Sequence, residues 1–376
     1  MNVAIFSYFL ILFLTVRECK NISGHNCIKL HNVGTYSIGF TLGNSPIFAG
    51  VNQVAQGLRV MQSTYKDLEL PSCRFIKNYT FELEFAKYSL IEYQDTIKFS
   101  DELTTRINFY VMSAATLFSF NKIGIGLPHN FTNKELSLIH QLKNDNKIKK
   151  LSYTFNPHLK HENAGFLYFG EVPDEVINSQ KYRGDCDLIK NITLWSCYLS
   201  KVKFGESEFV NKWNMSFQSN ERDFVIPYKF YNELKGKYLF EYFEKGSCRE
   251  IYSVETYCYI FCSLTIFESL PPFEFFIGNS VIKIPLTKLI SKLSDGYVLD
   301  LQTPVLSRDE WIFGTHFLDL FISTFDYENE KVFLYSNEIE IISLKYVTSR
   351  KSIFIFTLIM MITQIFILIY YSLKKE

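Results

Sequence analysis

The run WIFGTHFLDLFISTFDYENEKVFLY, residues 311–335, leaves the chain few ways to fold. Ile312 and Phe313 lead through Gly314 into a short amphipathic turn, and the apolar, β-branched and aromatic residues 320–325 then read as a buried strand. Asp326, Glu328 and Asn329 tolerate turn geometry, and residues 332–335 return as a second strand. The segment is predicted to be a β-hairpin entered through a glycine that packs against another backbone. A second alternating run, YSIGFTLGNSPIF at 36–48, meets Gly43 and then Pro46 and predicts another hairpin. Residues 135–143 carry helical spacing through Leu136, Ile139 and Leu142.

With 376 residues, 47% of them hydrophobic, the chain holds one large or two medium domains with ample core. Its 39 basic and 39 acidic residues are interspersed, so it lacks the electrostatic footprint of a nucleic-acid binder or of a hold on anionic lipid. The wealth of Phe and Tyr is what a β-rich core uses and carries no functional weight.

Residues 1–16 are apolar with no charge until Arg17, the length of a secretory signal, which is taken to occupy 1–19. Residues 353–373 are 21 uncharged positions, and a helix rising about 1.5 Å per residue crosses the roughly 30 Å hydrocarbon layer in that length. A glycolipid-anchor signal is the competing reading. Such tails usually end apolar, whereas this chain ends Lys374, Lys375, Glu376, which favours a transmembrane helix. The expectation is a single-pass type I membrane protein of the secretory pathway, at the plasma membrane or an endomembrane, with its body luminal or extracellular. Eight cysteines (19, 27, 73, 186, 197, 248, 258 and 262) and five glycosylation sequons, at Asn21, Asn78, Asn130, Asn191 and Asn214, agree with an oxidising lumen. The sequons predict exposed loops.

Trp311, Ile312, Phe313 and Gly314, followed by Phe317-Leu318 and a strand ending Phe325-Asp326 before an Asn-containing turn, resemble the last lobe of pepsin-like aspartic proteases. The resemblance extends over residues 36–335. It implies a mainly β, bilobal fold with an N-terminal lobe at 27–172 and a C-terminal lobe at 173–342, divided within 174–190, a polar stretch with little periodicity. Residues 80–99 resemble the family's flap hairpin, with Phe85 in the register of its tyrosine. FNKIGIG at 120–126 matches the first lobe's apolar-Gly element, GFLYFG at 165–170 the strand closing that lobe, and WSCYLSKVKFG at 195–205 the strand pair opening the second. The resemblance also pairs Cys248 with Cys262, leaves Cys258 unassigned, and makes Asp95 and Asp326 turn-supporting aspartates.

The two loops that carry chemistry in that family depart from its pattern. Counting back from Leu58 and Val60, the Asp-Thr-Gly register reads Asn52, Gln53, Val54, with Arg59 where tryptophan usually sits. In the second lobe, residues 215–227 align through Pro227 and the register reads Gln218, Ser219, Asn220. An aspartic protease holds two carboxylates that share one proton, one activating water while the other donates to the peptide carbonyl. Amides have no accessible pKa, and each lost acid-base group costs about 10²- to 10⁴-fold. Val54 and Asn220 lack the conformational freedom of the family's loop glycine, and Ser219 alone keeps the hydroxyl with which the family braces the two loops.

The resemblance therefore implies an inactive pseudoprotease, with no catalytic residue, cofactor or metal, whose cleft binds a peptide or protein. An active membrane-bound aspartic endopeptidase with an atypical dyad is the alternative, and a surface glycoprotein with no cleft ligand is a third class. His158 and His161 have a spacing suited to zinc, but Pro157 and polar neighbours put them in a surface loop. A cysteine-histidine nucleophile is disfavoured because luminal cysteines are mostly disulfides.

Overall fold

Two strand crossings of identical connectivity organise the molecule. In the first, Ser45–Asn52 runs parallel to Ile123–Gly126; on the far side of that short strand lies antiparallel Gly57–Met61, itself parallel to Thr104–Met112. In the second, Ser207–Phe217 runs parallel to Trp311–Phe313; antiparallel Phe224–Val225 lies on its far side, itself parallel to Tyr297–Pro304. The computed structural model describes residues 27–343 apart from 33–34, 54–56, 84–85, 101–102, 113–122, 130–136, 158–163, 191, 254–256 and 305–309.

A shared sheet joins the halves. Ser152–Asn156 pairs antiparallel with Ile322–Asp326, and the hydroxyls of Thr154 and Thr324 meet at 2.8 Å across that pair. One 13-stranded sheet consequently contains strands from both halves, while the strands of an 11-stranded sheet all follow Trp195. The joint is aromatic: Tyr153 stacks on Phe325 with centroids 4.8 Å apart, and Trp195 meets Phe325 at 5.1 Å and Tyr327 at 4.7 Å. Tyr153, Trp195 and Phe325 are fully buried, each contributing on the order of 2–3 kcal/mol of apolar burial.

The hairpin read from residues 311–335 forms as Ile322–Asp326 and Lys331–Ser336. Asp326 holds its turn by accepting from the backbone amides of Glu328 and Asn329, each at 2.9 Å. Gly314 makes the close approach expected of it: a Cβ there would stand 2.4 Å from the Asp223 carbonyl oxygen and 2.8 Å from that of Arg222. That spacing lets Thr315 N donate to Glu221 O at 2.8 Å and His316 N to Arg222 O at 2.9 Å.

Several expectations need adjustment. The turn of the first hairpin is Gly43-Asn44, with Gly43 at φ 57°, and Pro46 sits within the return strand opposite Thr41. Residues 174–190 are more than a polar connector, because Pro173 starts the helix Asp174–Asn178 and Tyr182–Asp187 pairs with Lys331–Ser336. The predicted helix is Leu138–Asn144, opened by Ser137, whose hydroxyl accepts from His140 N. Sequons Asn78 and Asn214 are exposed, but on strands rather than loops: Asn78 lies on the edge strand Arg74–Leu83 and Asn214 on the alternating strand Ser207–Phe217. Cys248 and Cys262, directly opposite on paired strands, form the expected disulfide, and Cys186–Cys197 forms a second. The signal run 1–19, Asn21, Phe85, Asn130, Asn191, His158, His161 and the run 353–373 lie outside the described residues. Among the described residues no helix is long and apolar enough to cross a membrane.

Gly314→Ala would drive a methyl into two carbonyl groups. The expected cost is about 3 kcal/mol in urea unfolding, and a loss below about 0.5 kcal/mol would mean that the 221–223 segment yields freely.

Candidate functional site

The two loops that follow the parallel strands are bound to each other across the lobes. Ser219 donates its hydroxyl to the carbonyl of Val51 at 2.9 Å, and its backbone amide donates to Gln53 Oε1 at 2.9 Å. Gln53 Nε2 donates to the Tyr153 hydroxyl at 3.0 Å, the Tyr153 hydroxyl donates to Leu127 O at 3.2 Å, and Trp195 Nε1 donates to the same carbonyl at 2.8 Å. Gln53, Ser219, Tyr153 and Trp195 are all fully buried, so every polar atom in this chain has exchanged water for a specific partner.

The brace fixes the register of the residues beside it. Asn52 ends its strand opposite Gly126, and its side chain lies outside the described residues. Gln218 is buried; its backbone amide donates to Phe313 O at 3.0 Å and its side-chain Nε2 donates to Ser216 Oγ at 2.8 Å. Asn220 turns its Oδ1 inward without a donor. Ser219 is the one residue of the pair with a hydroxyl, as expected, and Gln53 supplies the other half of the brace with an amide. The signal for this was present as a polar residue in the brace register, but its reach to Tyr153 depends on a contact 100 residues away.

Beside the second loop sits a charged cluster that no sequence spacing announced. His316 Nδ1 lies 3.3 Å from Asp223 Oδ1 and 3.2 Å from Asp300 Oδ2, aligned as a hydrogen bond to neither, so the attraction is ionic. Tyr259 donates to Asp223 Oδ2 at 2.9 Å and Ser291 to Asp300 Oδ2 at 2.8 Å, which orients both carboxylates. Burial alone would lower the His316 pKa, but the two carboxylates outweigh it and push it up to about 9. Burial, and then Asp223, push the Glu221 carboxyl above its ordinary value. Asp223, Asp300 and His316 each offer one atom within 4.8 Å of the others, a donor set that suits a divalent ion. A protonated His316 already balances much of that negative charge. A separate pocket of about 630 Å³, with Asn156, Glu175, Asp319 and Leu320 in its wall, contains none of these residues.

The sequence matches the family model described as eukaryotic aspartyl protease over residues 58–336. No curated protein matches it. Among solved structures, the crystal structure of an aspartic proteinase from Irpex lacteus superposes with a TM-score of 0.66 at 13% identity, covering 84% of this chain and 98% of that chain. At that identity the likeness carries the fold.

Two outcomes follow from the geometry. Gln53→Ala strands the Ser219 amide and removes the donor to Tyr153, at an expected cost of about 3 kcal/mol in urea unfolding. His316 has a folded pKa of about 9, above its ordinary 6.5, so its contribution is complete below pH 6.5 and is lost as pH rises through 9. The stability difference between wild type and His316→Asn should be large near pH 6 and shrink above pH 9; a difference that does not change with pH would contradict the ionic cluster.

Proposed function

Because the chain belongs to the eukaryotic aspartyl protease family, we propose that it is a pseudoprotease of that family, a membrane-anchored luminal or extracellular protein whose interlobe cleft binds a peptide or protein without cleaving it. One observation carries this reading. Ser219 bonds to Val51 and Gln53 across the lobes, and this supports a register in which the dyad-equivalent positions are the residues between and beside them, Asn52 and Gln218.

The chemistry of that pair decides the rest. Neither amide can take the proton of an attacking water, and neither can share a proton with the other. Gln218 is further removed from a dyad role by its longer side chain, whose amide is tied to Ser216 at the end of the preceding strand. What amides retain is the ability to donate to and accept from a peptide backbone, which suits ground-state binding rather than transition-state stabilisation.

The anchoring part of the proposal rests on the 21 uncharged residues at 353–373, and the luminal part on the apolar residues 1–16 and on sequons of which Asn78 and Asn214 are exposed. Resistance to carbonate extraction is the expected behaviour. Release by carbonate, or by a phospholipase that cuts glycolipid anchors, would remove the transmembrane helix.

For the cleft, purified protein is incubated with a peptide library from about pH 3 to 7, the range in which carboxylate dyads work. No turnover is expected from wild type. Turnover blocked by a statine-type inhibitor would overturn the inactive reading in favour of an atypical dyad. Activity that appears only in the Asn52→Asp, Gln218→Asp double variant would assign the silence of wild type to the two amides.

A further inference from the structure

Arg59 stands on the strand that leaves the first loop, and among the described residues it has no counter-ion. Its Nε is buried with no hydrogen-bond partner, and Arg59 makes no ion pair among the described residues. Burial pulls its pKa down, as expected for a desolvated positive charge that no anion offsets. A buried guanidinium nitrogen without an acceptor carries a desolvation cost that a bound anion would offset.

The strand register says what lies around it. Val51, Leu58, Val60 and Ile125 turn to the core and are buried. The opposite face holds two rows: Gly50, Gly124 and Arg59 in one, position 52, Gly126 and Gly57 in the next. Four of those six positions are glycines, so between Arg59 and position 52 there is only backbone. Gly50 and Gly126 are themselves buried, and Arg59 stands one row of glycine backbone away from the end of the first loop. On its other side the row continues through Tyr110 to Glu92. Glu92 is two strands away, roughly 9–10 Å at the usual strand spacing, and accepts from Asn108 Nδ2 at 2.8 Å.

We propose that Arg59 is an anion-binding residue of the cleft, and that it takes a carboxylate carried by the bound peptide, either an acidic side chain or the C-terminal carboxylate. The proposal rests on the peptide-binding reading for the source of the carboxylate, not for the site itself. A planar guanidinium offers two parallel N–H donors that match a carboxylate. A phosphate dianion fits less well, because Arg59 is a single cation with the Glu92 carboxylate in the same row.

The test uses purified full-length protein in detergent and small probes in matched acid and amide forms. N-acetylglutamate α-amide is set against N-acetylglutamine α-amide for the side-chain source, and N-acetylalanine against N-acetylalanine amide for the terminal source. Binding is read by calorimetry and by the shift in unfolding temperature. At least one acid should bind about tenfold or more tightly than its amide, and the pair that discriminates identifies the source. Arg59→Met should abolish the discrimination and leave amide affinity unchanged. Arg59→Lys, which keeps the charge and loses the fork, should retain part of it. The free Arg59→Met protein should unfold no lower than wild type, an outcome that a merely structural arginine would not give.

Equal affinity for acid and amide in both pairs of wild type overturns the proposal, as does discrimination that survives Arg59→Met. If Arg59→Met fails to fold, the wild-type comparison and Arg59→Lys still decide. Acid probes that bind through Arg59 while no peptide binds would sink the peptide-binding reading and leave the anion site standing.

Discussion

Ser219 gives both of its donors to the other lobe, and the geometry of the site depends on that. A hydroxyl and an amide separated by one residue's backbone fix both the distance and the relative rotation of the two loops, because neither bond can be kept if either loop turns. The bonds are made where water is absent, so each unmade partner would carry its full desolvation cost. Gln53 extends the fixture inward, its amide reaching Ser219 with one end and Tyr153 with the other, so that the loops, the interlobe sheet and the aromatic joint become one connected solid.

An amide suits this position for a physical reason. A hydroxyl would have to accept and donate from a single atom, whereas Gln53 accepts at Oε1 and donates at Nε2, two atoms on a longer side chain that span from Ser219 to Tyr153. A carboxylate in its place would bring a charge into a fully buried network whose described partners are all neutral. The same preference for neutral groups recurs at Gln218, whose buried amide finds a neutral partner in Ser216.

Much of the architecture was legible because it rests on local signals. Gly314 could be read as a close backbone approach since only glycine survives 2.4 Å from a carbonyl oxygen, and Asp326 as a turn residue since its carboxylate reaches the amides two and three positions on. The Cys248–Cys262 pairing was legible only through a family likeness. What escaped was long-range. The Gln53–Tyr153 bond, the convergence of Asp223, Asp300 and His316, and the second disulfide each depend on how distant strands register, and no periodicity encodes that. The hairpin at 36–48 forms with Pro46 in its return strand, and the polar stretch 174–190 also holds a strand, because pairing with a neighbour outweighs turn-forming composition.

The charges near the site are divided between the lobes, and the division explains why neutral loops can sit between them. On the second lobe Glu221, Asp223 and Asp300 gather within one segment and its neighbour strand, held by His316 and by Arg222, whose Nε lies 3.8 Å from Asp223 Oδ1. On the first lobe Arg59 has no such balance. A carboxylate added at position 218 would be buried close to Glu221, whose own carboxyl burial and then Asp223 have pushed above its ordinary value. Burial at the second loop therefore favours neutral residues there, while on the first lobe the proposed anion site would take a negative charge. Such a division is consistent with the proposed holding of a polar chain in one orientation.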